Sequence, residues 1–197
     1  MEIQKKNIIA AYESADKKGK EMLKALFPDV TFNEKDDRPI TERIKTFEDA
    51  YEELKRRQAE GDKSVTNLID DWDDFNSKAA DPDILAFFKL RIICVALNEG
   101  WMPKFTEDEA RWYPWHWLYT QEEIDRMEAK EKKERCMMQT TDYVTEYAGF
   151  ACAYSYNAPS YTDASIGSRL CLKNSELATY CGRQFIDLWA DFKLLSK

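Results

Sequence analysis

Apolar residues recur at spacings of three and four along most of the chain, which is the pattern of amphipathic helices. The pattern predicts helices over 7–27, 47–60, 64–76, 81–99, 121–135 and 175–195. Residues that commonly cap helices precede several of them, namely Thr46, Asp81, Thr120, and Asn174 or Ser175. Most of the chain is therefore expected to be helical.

The helix predicted over 81–99 is apolar on nearly every side, which is typical of a helix at the centre of a core. We expect Leu85, Phe88, Ile92 and Val95 to be largely buried in it. The helix over 121–135 has the opposite character, because its middle is almost wholly charged. We interpret it as an exposed arm.

Strict alternation, the pattern of a β-strand, is found over Phe150–Tyr156. A second strand is predicted over Arg169–Lys173, with a hairpin loop between the two, and a short strand over Val30–Phe32. The stretch Trp101–Tyr119 contains two prolines and many aromatic residues, and it is interpreted as a loop. The predicted fold class is α+β, predominantly helical, with a small antiparallel hairpin or sheet near the C-terminal half.

The length of 197 residues suits a single domain over 1–197, with residues 120–140 as an exposed, charged helical insertion. Gly182 lies inside the last predicted helix, where it costs about 1 kcal/mol relative to alanine. Close packing against a neighbouring element is the usual reason for such a glycine, and we expect it here.

The net charge of −8 argues against a protein that binds duplex nucleic acid, because such binding depends on lysine and arginine neutralising phosphates. The first residues show no signal-peptide pattern, and no apolar run is long enough to span a bilayer. Five cysteines without CxxC spacing indicate free thiols rather than a zinc site or a disulfide framework. These features predict a soluble cytoplasmic protein without a membrane segment, metal or cofactor.

Two segments carry candidate binding chemistry. The first contains Arg111, Trp112, Tyr113, Trp115, His116 and Trp117, whose rings could stack on a flat ligand while Arg111 meets an anion. The second contains Arg169 and Lys173 before the N-terminus of the last helix, with Gly167 and Ser168 as further donors. We expect the two segments to form one ligand-binding site. In the alternative interpretation both segments pack as core, and His116, the only histidine, is structural.

Three stretches taken together resemble a known family: LRIICVALNEGW over 90–101, RWYPW over 111–115 and GSRLCLKNSELATYCGRQFIDLWADF over 167–192. They are similar to the ALNEGW, YPWF-like, GSRLCFK-like and YAGKQF-like segments of hypothetical proteins from phages and mobile elements of gut Bacteroidales. His116 stands where that family usually has Phe, and the stretch 118–147 is longer than its equivalent. The resemblance implies a mobile-element origin and implies no reaction.

The leading hypothesis is a non-enzymatic binding protein that acts in the bacterial cytoplasm. Its partner would be a host protein or a small anionic, nucleotide-like ligand, and its effect would be to blunt host defence. The alternatives are a structural or accessory protein of a phage virion and an enzyme acting on a nucleotide-like substrate. No catalytic residue is assigned, and a homo-oligomer is left open.

Overall fold

A computed structural model describes residues 4–30, 36, 38–75, 80–104, 106, 108–159 and 169–197. Within these residues the protein is predominantly helical with one three-stranded antiparallel sheet in its C-terminal half, which confirms the predicted α+β class. The chain divides into two compact units, Met1–Arg38 and Pro39–Lys197. The single-domain prediction over 1–197 stays a prediction, since a compact unit is not by itself an independently folding domain.

The first unit contains α1 (Lys5–Ser14) and α2 (Lys17–Leu26), so the prediction of one helix over 7–27 was wrong. The break occurs because Asp16 caps the second helix: its carboxylate accepts a hydrogen bond from the Gly19 amide at 2.8 Å. Of the strand predicted over Val30–Phe32, Val30 lies in a bend and the other two residues lie outside the described residues.

The second unit begins with α3 (Ile40–Arg43), α4 (Phe47–Ala59), α5 (Lys63–Asp73) and α6 (Pro82–Leu97). Thr46 and Asp49 form the capping box at the start of α4. Helix α6 is central as predicted, and Ile92 is fully buried. Leu85, Phe88 and Val95 are only half-buried, because the face of α6 that packs deepest carries a different set: Ala86, Leu90, Ile93, Cys94, Ala96 and Leu97.

The sheet has the order β1–β3–β2, where β1 is Ala110–Tyr119, β2 is Met138–Gln139 and β3 is Gly149–Pro159. Strand β3 lies where the alternation predicted a strand, but its alternation is not strict. The pairing shifts between Trp115 and His116, so Cys152 is buried opposite His116 while Tyr154 lies exposed opposite Trp115. The prediction of a loop up to Tyr119 was wrong, because aromatic residues pack well on a pleated surface and the proline is tolerated at a sheet edge. Trp112 exchanges two backbone hydrogen bonds with Leu172, so its backbone N–H and C=O groups point away from β3. The backbone carbonyl of Pro114, two residues later, points the same way.

The second strand predicted over Arg169–Lys173 was also wrong. Arg169 and Leu170 lie in a turn, and only Leu172 forms a bridge, with Trp112 of β1. The hairpin partner expected for β3 was this segment, but β3 pairs with β1 over its whole length instead. Long aromatic side chains along both strands make that pairing the more stabilising one.

The C-terminal helix is divided into α9 (Ser175–Gln184) and α10 (Ile186–Lys193), which corrects the prediction of one helix. Phe185 leaves the helical region at the junction, with φ −116° and ψ 36°. The close packing predicted at Gly182 is confirmed. A Cβ atom at this position would lie 2.5 Å from the Pro114 Cβ atom and 2.7 Å from the Cys152 Sγ atom.

The charged stretch forms two short helices rather than one, α7 (Gln121–Arg126) and α8 (Ala129–Glu134). Met127 adopts an extended conformation between them, and neither helix contains a buried residue. The capping box of Thr120 and Glu123 is present as the sequence indicates. No helix among the described residues combines the length and the apolar character needed to cross a bilayer.

Candidate functional site

The first half of β1 packs inward. Arg111 and Tyr113 are buried, and Trp112 is half-buried beside the bridge to Leu172. Of the residues proposed from the sequence for ligand contact, two are therefore buried and a third is half-buried. Their positions suit the packing interpretation of this segment better than the binding interpretation.

The middle of β1 presents rings to solvent. Trp115 is 36% exposed and stacks on Tyr154 of β3, with 5.9 Å between ring centroids and an interplanar angle of 9°. Tyr156 leans on the same tryptophan at 5.6 Å. We call Trp115, Tyr154 and Tyr156 the aromatic shelf. Trp117, which is 49% exposed, lies further along the same strand.

His116 lies on the opposite face of β1, against the helices. Its ring stacks on Phe150 at 4.8 Å and packs against Trp189 of α10 at 5.5 Å. Burial lowers the pKa of His116 to about 3, so the imidazole is neutral at physiological pH. Its Nε2 atom lies 3.2 Å from the Gly182 carbonyl oxygen, and the residue acts as a packed core side chain here.

Arg169 and Lys173 face the end and side of α6 rather than the aromatic shelf. The Lys173 ammonium forms an ion pair with Glu99 at 2.8 Å, and its backbone amide donates to the Asn98 side chain at 3.0 Å. Burial lowers the pKa of the Arg91 guanidinium of α6, and the positive charge of nearby Arg169 lowers it further. Lys173 therefore has its partners just after α6, Arg169 lies near a like charge on that helix, and Trp115 has its partners on β3. Gly167 and Ser168 lie outside the described residues.

A cavity of about 540 Å³ opens beside the aromatic shelf, between α9, β3 and the turn after α8. Its wall includes Cys136, Tyr154, Ser155, Thr179, Tyr180 and Arg183. We call it the β3-edge pocket. Small-molecule sites in proteins are typically clefts of about 300–1,000 Å³, so its size is suitable for such a ligand.

The pocket lies along a part of the β3 edge that no other strand of the described residues covers. Strand β2 pairs only with Gly149 and Phe150, at the beginning of β3. Ser155 lies opposite Pro114, and the backbone groups of these two residues do not hydrogen-bond to each other across the β1–β3 ladder. The backbone N–H and C=O groups of Ser155 therefore point away from β1, and Ser155 lines the pocket on that side.

Arg183 supplies the positive charge of the pocket. It lies on the face of α9 that lines the wall, and its Nε atom is buried without a hydrogen-bond partner among the described residues. A buried polar atom without a partner costs about 1–3 kcal/mol, and native proteins contain few of them. A bound carboxylate or phosphate would satisfy this donor.

The far wall is held in place by backbone contacts. The Tyr180 hydroxyl donates to the Ile44 carbonyl at 2.5 Å, and the Gln184 amide donates to the Lys45 carbonyl at 2.9 Å. Burial raises the pKa of Tyr180 to about 12, so this phenol keeps its proton. The Lys45 ammonium lies 5.4 Å from the centre of the Tyr180 ring and adds a second positive charge near the rim.

The described residues contain no group of three metal-ligating side chains. All five cysteines are free, and four of them are buried. Burial raises the pKa of Cys152 and of Cys171 to about 11, so neither is a thiolate at neutral pH.

Sequence reasoning missed the main residues of the pocket, which are Tyr154, Ser155, Tyr180 and Arg183. Alternation in β3 did place Tyr154 and Tyr156 on one face. Nothing in the local pattern distinguished Arg183 from any other arginine on a helix, because its lack of a partner is a property of the packed structure.

Comparison with family models, with curated proteins and with solved structures found no match. The function of the pocket must therefore be argued from its own geometry and chemistry.

Proposed function

We propose that this chain is a non-enzymatic binding protein whose site is the β3-edge pocket. Its ligand is a small molecule that carries an anionic group next to a planar one. The observation that carries the proposal is the buried Arg183 Nε atom, which has no partner among the described residues and lies in the wall of an open cavity.

The rings beside the pocket account for the planar part of the ligand. Tyr154 belongs to both the aromatic shelf and the pocket wall, and Tyr180 lies on the other side. Stacking of a base or similar ring on an aromatic side chain contributes about 1–3 kcal/mol. A planar group between or beside these rings would leave its anionic substituent near Arg183.

The charge of the pocket limits how many negative charges its ligand can carry. Arg183 and the nearby Lys45 are opposed by Glu176, which is also in the wall, and the whole chain carries a net charge of −8. A ligand with one or two negative charges suits this balance, whereas a long nucleic acid would be repelled. The nucleotide-like ligand proposed from the sequence is thereby narrowed to a mononucleotide or an aromatic carboxylate.

The state of Tyr180 in the wall supports the proposal that the protein binds its ligand without transforming it. Tyr180 holds its proton and is engaged with Ile44, so it is not poised as a general base. The resemblance to mobile-element proteins supports a setting inside a bacterial host. In that setting, capture of a small host signal would blunt host defence.

Tryptophan fluorescence provides the test, because Trp115 lies on the shelf beside the pocket. We expect adenosine monophosphate or benzoate to give a saturable change in emission, and inorganic phosphate alone to give none. Arg183→Gln should weaken binding roughly tenfold or more, since a hydrogen bond to a charged group contributes about 1.5–3 kcal/mol.

The matched control is Arg126→Gln, which removes the same charge from a side chain of α7 that is 74% exposed. It should leave binding unchanged. Trp115→Phe should remove the signal change while unfolding stays cooperative. The proposal fails if neither planar anion gives a saturable change in emission, or if the two arginine variants bind the ligand with equal affinity.

A further inference from the structure

Lys193, the last residue of α10, lies in an unusual environment for a lysine. The residue is exposed, yet its ammonium group sits among rings, 3.0 Å from the His116 Nδ1 atom and 5.1 Å from the centre of the Trp189 ring. The residue thus reaches solvent, while protein atoms surround much of its amine.

The hydrogen bonds of His116 determine its tautomer. Its Nε2 atom faces the Gly182 carbonyl oxygen at 3.2 Å, and a carbonyl oxygen can only accept. Nε2 therefore carries the single proton of the neutral ring, and Nδ1 presents a lone pair to Lys193. His116 holds the amine in one direction and is a positioning residue.

No carboxylate of the described residues forms an ion pair with Lys193, whereas Lys55 and Lys173 pair with Asp73 and Glu99. Other titratable groups lie on the elements around it. On β3, the Cys152 thiol is protonated at neutral pH. On α10 itself, Asp191 accepts a hydrogen bond from Tyr143 at 2.7 Å.

Desolvation by these surroundings lowers the pKa of Lys193 to about 8. At pH 7.5 roughly a quarter of such amines would be neutral, compared with about 0.1% for an ordinary lysine of pKa 10.4. Solvent that reaches the residue screens part of this effect. A less basic amine is also a weaker nucleophile, as is true of thiols. The two opposing effects leave Lys193 with an acylation rate about tenfold above that of an ordinary lysine.

We propose that Lys193 is a covalent modification site that takes an acyl group from an activated acyl donor such as a thioester. The neutral amine attacks the acyl carbon, and a C–N bond forms as the C–S bond breaks. The proton lost by nitrogen passes through water to the departing thiolate, so the products are an amide and a free thiol. This site is separate from the β3-edge pocket and does not depend on the binding proposed there.

The test exposes the full chain to an acetyl thioester of N-acetylcysteamine at several pH values and measures occupancy at each lysine by mass spectrometry. Lys133 of α8, which is exposed, is the reference within the same molecules. We expect Lys193 to react at least tenfold faster at neutral pH, with a rate midpoint near pH 8. Equal rates at the two lysines would overturn the proposal.

His116→Phe separates positioning from exposure. Phenylalanine keeps the ring stacking but removes the hydrogen-bond acceptor, so the Lys193 side chain should rotate into solvent. Its acylation rate relative to Lys133 should then fall severalfold. The pH midpoint for Lys193 should rise at the same time, and the rate at Lys133 should stay constant. An undiminished advantage in a variant that unfolds cooperatively would refute the role of His116. The wild-type pH profile tests Lys193 even if this variant does not fold.

Discussion

Substitution of Gly182 by alanine sets two opposing effects against each other. On an isolated helix the change stabilises, because alanine exceeds glycine in helix propensity by about 1 kcal/mol. In the folded protein the new Cβ atom would lie 2.5 Å from the Pro114 Cβ atom and 2.7 Å from the Cys152 Sγ atom. Carbon atoms pack at about 3.5–4.0 Å, so α9 would have to move about 1 Å away from the sheet.

Neither neighbour can yield easily. Pro114 is buried with a fixed ring, and Cys152 is fully buried in β3. Overpacking of this kind typically costs about 1–3 kcal/mol, and two rigid contacts favour the upper end or beyond. After the propensity gain is subtracted, we expect Gly182→Ala to destabilise the protein by about 1–3 kcal/mol.

Urea unfolding followed by circular dichroism measures this change as a lower midpoint at unchanged slope. Combining the variant with Cys152→Ala is the informative control, because it removes the sulfur atom and leaves the Pro114 contact. The double variant should regain part of the free energy of unfolding that Gly182→Ala loses, as expected for coupled neighbours. An unchanged or raised midpoint for Gly182→Ala alone would show that α9 does not approach the sheet this closely.

Three further changes test other parts of the fold. Ile92→Ala should cost about 2–5 kcal/mol in urea unfolding, whereas Ile84→Ala on the same helix, at a side chain that is 49% exposed, should cost far less. Asn98→Ala should cost about 2–4 kcal/mol, because the buried amide donates to the Cys171 carbonyl at 2.9 Å and accepts from a backbone amide; a loss below 1 kcal/mol would contradict this. The unfolded state binds a proton at His116 below about pH 6.5 and the folded state does not until about pH 3, so stability should fall on acidification by up to about 1.4 kcal/mol per pH unit. His116→Phe should remove that dependence, and an identical pH profile would contradict it.

Part of the candidate site was accessible from the sequence. The alternation in β3 predicted that Tyr154 and Tyr156 share a face, and the aromatic content of β1 marked Trp115 as a candidate for stacking. The expected association of Trp115 with Arg169 and Lys173 depended on which elements pair. Here β1 pairs with β3, and Lys173 pairs with Glu99 just after α6. Pairing is decided by contacts distant in sequence, so local patterns carry little information about it.

What the sequence determined by itself is local. The caps at Thr46 and Thr120 and the strand character of β3 each follow from chemistry within a few residues. A glycine inside a helix indicated close packing at Gly182, but its neighbours Pro114 and Cys152 are distant in sequence. Only the tertiary structure decided that the proline-containing aromatic stretch is an edge strand and that a helical pattern is interrupted at Phe185. It also left the Arg183 Nε atom buried without a partner among the described residues. Such outcomes depend on which surfaces meet across the core, because packing energy between distant segments exceeds the small differences in intrinsic propensity.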